Sequence, residues 1–269
     1  MTFAGRWEAA LTVPAGVSID ATNSGGGPTA VSITAGSYSG PSALLAHVVA
    51  RLNAVRTPAN WTGSISSTGT SPTGKSTLNW TGAGTYSITW TSTELRDLLG
   101  YTGNLAGITQ GVASVSTKQA RGLWLPDATL NLDGDPRSAP KRSDRRTVIT
   151  PDGKAYTHVG NTLYQLRNLR YTHVPLARVW EANVATANAS LEVFWIETQL
   201  GLSSTWFSPG SRVQIYDHTD TLVGINGNAG TGLSGWFVAT PKELDELTLS
   251  VPQWTGYYQV VIGDLVSDA

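Results

Sequence analysis

From Ser76 to Trp90 the chain reads STLNWTGAGTYSITW. Apolar residues stand at every second position on either side of a glycine-bearing turn: Leu78 and Trp80, then Tyr86, Ile88 and Trp90. A repeat of two belongs to a strand with one buried face, and glycine and threonine are poor helix formers. The stretch therefore commits this part of the chain to antiparallel β-structure. It also decides the meaning of the motif just before it. Gly69 to Thr77, GTSPTGKST, fits G-x-x-x-x-G-K-[ST] at every required position. A phosphate-cradling loop needs a buried strand before the glycines and a helix that starts at the lysine. Here the serine-rich NWTGSISSTG precedes it, a strand pattern follows it, and Pro72 removes one amide donor from the cradle. The expected structure is a turn between two antiparallel strands that binds no nucleotide.

Similar short strand patterns occur in RWEAALTV, TAVSITA, NWTGSISS, RRTVITPDGKAYTHVG, RVQIYDHTDTLVGING and the closing segment to Ile262. Helical periodicity is confined to three places. In SGPSALLAHVVARLNAVRTP, Leu44, Leu45, Val48, Val49, Leu52 and Val55 share a face, with Ser39 or Ser42 to cap the start and Arg51 and Arg56 near the C-terminal dipole. In TSTELRDLLGYTG, Thr91 and Glu94 form a capping box and Gly100 supplies the left-handed stop, after which Tyr101 is placed to pack back on the helix. In ANASLEVFWIETQLG, Leu191, Phe194, Trp195 and Thr198 form a face. The expected fold is mainly β with a few short helices, a β-rich α+β chain of antiparallel, sandwich-like modules. Residues 1–125 form an N-terminal β-rich module with two helices. Residues 126–146 are a linker or long loop, rich in turn residues and prolines. Residues 147–269 form a C-terminal module with one helix.

The chain of 269 residues is long enough to bury a real core. Charged residues make up 14% and the net charge is −1, so no global attraction to nucleic acid or an anionic membrane is implied. Without cysteine there are neither disulfides nor thiolate metal sites. The N-terminus carries Arg6 and Glu8 and no long apolar core, so no signal peptide is expected. No apolar run reaches the ~20 residues of a membrane helix. A soluble chain made in the cytoplasm is expected. Ten tryptophans among few charges suggest extensive contact surface, because aromatic rings favour interfaces as well as cores.

No constellation announces chemistry. His47, His158, His173 and His218 form no HExxH and no i, i+4 ligand pair, so a metal could be held only through tertiary proximity. There is no G-x-S-x-G. Asp217 to Asp220 stand where a hairpin needs turn residues, and Glu192 and Glu197 flank an aromatic helix. Asp133 and Asp135 in NLDGDP lack the spacing and terminal glutamate of a calcium loop. No catalytic, cofactor-binding or metal residue is singled out, no cofactor is expected, and the chain reads as a non-enzyme. The most biased charge cluster is Arg137, Lys141, Arg142, Arg145 and Arg146, interrupted by Asp144 and lacking the interleaved aromatics of a nucleic-acid surface. It reads as a loop that pairs with acidic residues of a neighbouring subunit.

SITAGSYSGPSALLAHVVARLN followed by TYSITWTSTELRDLLGYTGNLAG resembles a pattern in virion proteins of tailed bacteriophages. The residues that carry it are Ile33, Gly36, Tyr38, Leu44, Leu52 and Asn53, then Ile88, Leu95, Leu98, Leu99, Gly100, Tyr101, Thr102 and Gly103. The similarity covers roughly the first 110 residues. The C-terminal half is more loosely similar to distal-tail or tail-tip components. The resemblance implies a structural virion subunit in the tail, distal tail or baseplate, packed in a ring with copies of itself (a hexamer favoured) and holding other tail proteins. A head-associated or head–tail joining protein is the alternative within that class. Outside it stands a carbohydrate-binding module for a host surface glycan, with Trp61, Trp80, Trp90 or Trp236 as stacking platforms.

Overall fold

The computed structural model describes residues 5–23, 26–55, 60–67, 72–126, 129–132, 141–142, 145–149, 155–159, 163–175, 178–179, 190–198, 200–202, 204–209, 211–216, 237–238, 248–250 and 257–268. The chain opens with strands β1 (Arg6–Ala9), β2 (Leu11–Val13), β3 (Ser18–Asn23), β4 (Thr29–Ser32) and β5 (Gly36–Tyr38) and helix α1 (Pro41–Val55). Strands β6 (Trp61–Ile65), β7 (Lys75–Trp80) and β8 (Thr85–Trp90) precede helix α2 (Thr93–Leu98), and β9 (Leu105–Thr109), β10 (Ser114–Gln119) and β11 (Leu123–Trp124) follow it. Beyond them lie β12 (Thr129–Leu132), β13 (Lys141–Arg142), β14 (Arg145–Ile149), β15 (Ala155–Val159) and β16 (Leu163–Pro175). Helix α3 (Leu191–Thr198) leads to β17 (Val213–Tyr216), β18 (Phe237–Val238), β19 (Thr248–Ser250) and β20 (Tyr257–Asp268). The fold is mainly β, and every strand pairing among the described residues is antiparallel.

Alternation sets the faces. Along β8, Tyr86, Ile88 and Trp90 are buried while Thr85 and Thr89 are exposed, and along β7 Ser76, Leu78 and Trp80 are buried. β8 joins a four-stranded sheet of order β4-β3-β8-β9, and β7 is the middle strand of β10-β7-β6. The two copies of NWTG meet across the β6–β7 hairpin, where Trp61 stands opposite Trp80 with ring centroids 5.3 Å apart. Tyr86 packs edge-on to Trp61 at 5.1 Å.

Helix α1 buries Leu44, Leu45, Val48 and Leu52, with Val49 partly covered and Val55 exposed. Its first turn is held from outside the helix. Glu8 on β1 accepts from the Ser42 backbone N–H at 3.3 Å and from the Ser42 hydroxyl at 2.6 Å. A carboxylate at this end suits the helix dipole. Arg51 donates to the carbonyl of Ser32 at 3.0 Å and so serves β4. Asn53 acts as a strand partner for Trp61, accepting from its N–H at 2.8 Å and donating to its carbonyl at 2.9 Å.

The cap of α2 is Ser92, which accepts from the Leu95 N–H at 3.2 Å. The expected cap, Thr91, is drawn across the sheet to Ser18, whose hydroxyl lies 3.0 Å away. Glu94 turns away from the capping box toward Arg121. At the other end Gly100 has φ +79°, and the N–H groups of Gly100 and Tyr101 reach Asp97 O and Arg96 O, each at 3.0 Å, the crossed pair of a Schellman stop. Tyr101 then stacks on Trp90 at 5.2 Å.

A nine-stranded sheet runs β11-β1-β17-β18-β20-β16-β12, with β13 on β16 and β19 on β20. β1 therefore comes from the N-terminal 125 residues but lies between β11 and β17. The two halves share this sheet. Segment 126–146, expected as a linker or loop, contributes paired strand: Leu130 opposes Tyr171, Lys141 opposes Tyr164, and Arg145 opposes Val159. Backbone pairing, with the long β16 for β12 and β13 and with β15 for β14, overrides the turn composition there. Helix α3 buries Leu191, Phe194, Trp195 and Thr198 as its periodicity indicates.

Candidate functional site

Of the phosphate-loop motif, Gly69 to Ser71 lie outside the described residues, and where the motif needs a helix to start the structure has a strand. Its lysine, Lys75, is the first residue of β7, and Ser76 pairs with Ile65 across the hairpin. A Cβ at Gly74 would lie 2.4 Å from Gln119 Cγ, so side chain fills the space beside this glycine.

The tryptophans among the described residues are spent on the interior. Trp61 and Trp80 are each 2% exposed and Trp90 7%, so these three offer no ring face to a sugar; Trp236 lies outside the described residues. Trp7, Trp124, Tyr171 and Phe194 form a second aromatic group, Trp7 meeting Trp124 edge-on at 5.3 Å and Phe194 at 6.2 Å. The Trp124 indole donates to the Arg178 carbonyl at 2.7 Å.

Two ionic groups were not visible in the sequence because their partners are distant or flanked by apolar residues. Arg6 and Glu8 pair at 2.5 Å with side chains 8% and 2% exposed, and the Arg6 guanidinium lies 3.8 Å over the Tyr216 ring. Arg121 donates to Glu197 of α3 at 2.9 Å and lies 3.8 Å from Glu94 of α2, which also accepts from the Ser204 hydroxyl. Each carboxylate is thus engaged in packing segments together. Of the two glutamates on α3, Glu197 is the one engaged, by Arg121.

Among the described residues no group of three or more His, Asp or Glu side chains could hold a metal ion. His158 lies on β15 and His173 on β16; His218, Asp133, Asp135 and Asp217 to Asp220 lie outside the described residues. His47 is half-buried on α1, and its Nε2 accepts from the Thr34 N–H. Of the basic cluster, Lys141 and Arg142 form β13, Arg145 and Arg146 open β14, and Arg137 lies outside the described residues.

The surface feature that sequence reading passed over is a gap in charge. From Tyr101 to Thr117 there is no Asp, Glu, Lys, Arg or His. This stretch supplies two sheet edges, β9 pairing with β8 and β10 with β7. The turn between them exposes Val112 (54%) and β10 exposes Val115 (57%). The turn is anchored from beneath: Gly111 N–H donates to Trp80 O at 2.8 Å, Gln110 N–H to Gly84 O at 2.8 Å, and the Tyr86 hydroxyl to Leu78 O at 3.0 Å and Val112 O at 3.4 Å. Both edges carry register shifts, on β9 between the Tyr86 and Ile88 pairings, where Gly107 has φ +62°, and on β10 between Val115 and Gln119. Bulges interrupt the ladder that another strand would need. What remains is an uncharged rim that presents the side chains of Val112 and Val115.

The chain matches no protein-family model, and no curated protein or solved structure is significantly similar to it.

Proposed function

We propose that this chain is a structural subunit of a tailed-phage virion, placed in the tail or its distal end, which assembles with copies of itself and holds neighbouring tail proteins. It works by contact and not by catalysis. The observation that carries this reading is the rim from Tyr101 to Thr117. The bulges bar pairing by another strand, and exposed apolar side chains on an uncharged edge favour side-chain burial against another subunit. Most residues that carry the phage-like pattern are packing residues here: Ile33, Leu44, Leu52, Ile88, Leu95, Leu98, Leu99 and Tyr101 are buried, Asn53 bridges α1 to β6, and Gly100 stops α2, while Gly36, Thr102 and Gly103 are exposed. That is what a shared scaffold, as opposed to a shared active site, requires.

Arg137, Lys141, Arg142, Arg145 and Arg146 take the second role, steering a neighbour into register by charge, a contribution that weakens with salt. A closed ring of six is the favoured assembly, built in the host cytoplasm and carried in the virion tail. The test is native mass spectrometry with electron microscopy of the purified chain, alone and with neighbouring tail proteins. Closed rings of one stoichiometry support the reading; a chain that stays monomeric with those proteins present contradicts it.

A further inference from the structure

His47 is half-buried, and its Nε2 accepts the backbone N–H of Thr34 at 3.2 Å. Thr34 belongs to the connection between β4 and β5. The same residue is held a second time, by the Tyr38 hydroxyl, which donates to Thr34 O at 2.7 Å. The Tyr38 and His47 rings lie 5.3 Å apart at 57°. One turn along α1, Arg51 donates to Ser32 O at 3.0 Å. The helix thus grips the connection through side chains, and one of the grips depends on a neutral imidazole. A ring that accepts at Nε2 carries its proton on Nδ1; adding a second proton sets a donor against the Thr34 donor.

We propose that His47 is an acid-sensitive clamp, whose protonation releases the β4–β5 connection from α1. Tyr38 is the titratable group that faces the imidazole and Arg51 is the charged one; among the described residues no carboxylate is paired with it. Burial first, and the Arg51 guanidinium second, hold the imidazole below its ordinary value of 6.5. The clamp is therefore closed at neutral pH and opens as the pH falls below that value. This device stands on its own contacts and is independent of the assembly reading.

The test is an NMR titration of the full chain from about pH 7.5 to about pH 4.5, following the His47 ring and the Thr34 amide. Both should move with one midpoint below 6.5. Hydrogen exchange at Thr34, corrected for intrinsic rate, should lose roughly three- to tenfold protection across it. His47→Gln keeps a neutral acceptor and should remove the Thr34 midpoint, while Arg51→Gln should raise the His47 midpoint. A wild-type His47 midpoint at or above the ordinary value, a Thr34 amide silent through the His47 titration, or a Thr34 midpoint that persists in His47→Gln overturns the proposal.

Discussion

Trp7 donates its indole N–H to the hydroxyl of Tyr171, a residue 164 positions later, with the two side chains 1% and 0% exposed. The bond joins β1 to β16 at the centre of the shared aromatic group. Tyr171→Phe keeps the ring and leaves a buried indole donor without its acceptor. The expected cost is about 1–3 kcal/mol, read by urea unfolding. A double-mutant cycle with Trp7→Phe should recover part of that cost, because the variant pair leaves nothing unpaired.

Glu8 serves a buried guanidinium and a helix terminus at once. Glu8→Ala should destabilise the chain by about 3–5 kcal/mol, the range for breaking a buried pair by removing one partner. Gly40→Ala reaches the same carboxylate from outside, since a Cβ there would lie 2.3 Å from Glu8 Oε2 and 2.7 Å from Glu8 Cβ. Thermal melts of the two variants should both fall; an unchanged melting temperature for Gly40→Ala would show that Glu8 can move at little cost.

Burial raises the Tyr86, Tyr101 and Tyr171 phenols above their ordinary value of 10.0. A group raised in the folded chain keeps its proton after the unfolded chain has lost it. The stabilisation is complete below the unfolded value and declines as pH rises above it, by about 1.4 kcal/mol per pH unit for each such phenol. Urea midpoints should therefore hold steady up to about pH 10 and then drop, with phenolate absorbance from these tyrosines appearing together with unfolding.

Nucleotide binding tests the reading of Gly69 to Thr77 as a hairpin turn. Calorimetry with ATP or GTP and magnesium should give no saturable heat. Micromolar binding that Lys75→Ala abolishes would contradict the strand assignment of Lys75 as the basis for function.

How much of this was legible beforehand depended on range. The alternation in β7 and β8, the buried face of α3 and the glycine stop of α2 are local, and the residues in view suffice to read them. Glu8 capping α1 from 34 positions away could not be seen, because two serines stood nearer and no local signal ranks them against a distant carboxylate. Thr91 and Ser92 are equivalent caps by type, and only the presence of Ser18 across the sheet separates them. The tryptophans misled in the other direction. Their number suggested contact surface, yet the seven among the described residues, Trp7, Trp61, Trp80, Trp90, Trp124, Trp195 and Trp206, are all buried, because large rings fill wide gaps between short strands. The rim, by contrast, was printed in the sequence as a run without charge; its significance needed the two edges to be seen side by side.

Sedimentation velocity over a concentration series, with neighbouring tail proteins absent and present, tests the central claim most directly. The variant is Val112→Lys with Val115→Lys, both at exposed positions where stability should change by about 0.5 kcal/mol or less. The wild-type chain should form a discrete larger species and the variant should sediment as a monomer with an unaltered melting temperature. A wild type and variant that assemble equally, or a wild type that remains monomeric in every mixture, would contradict the assignment of this rim as the surface through which the subunit assembles.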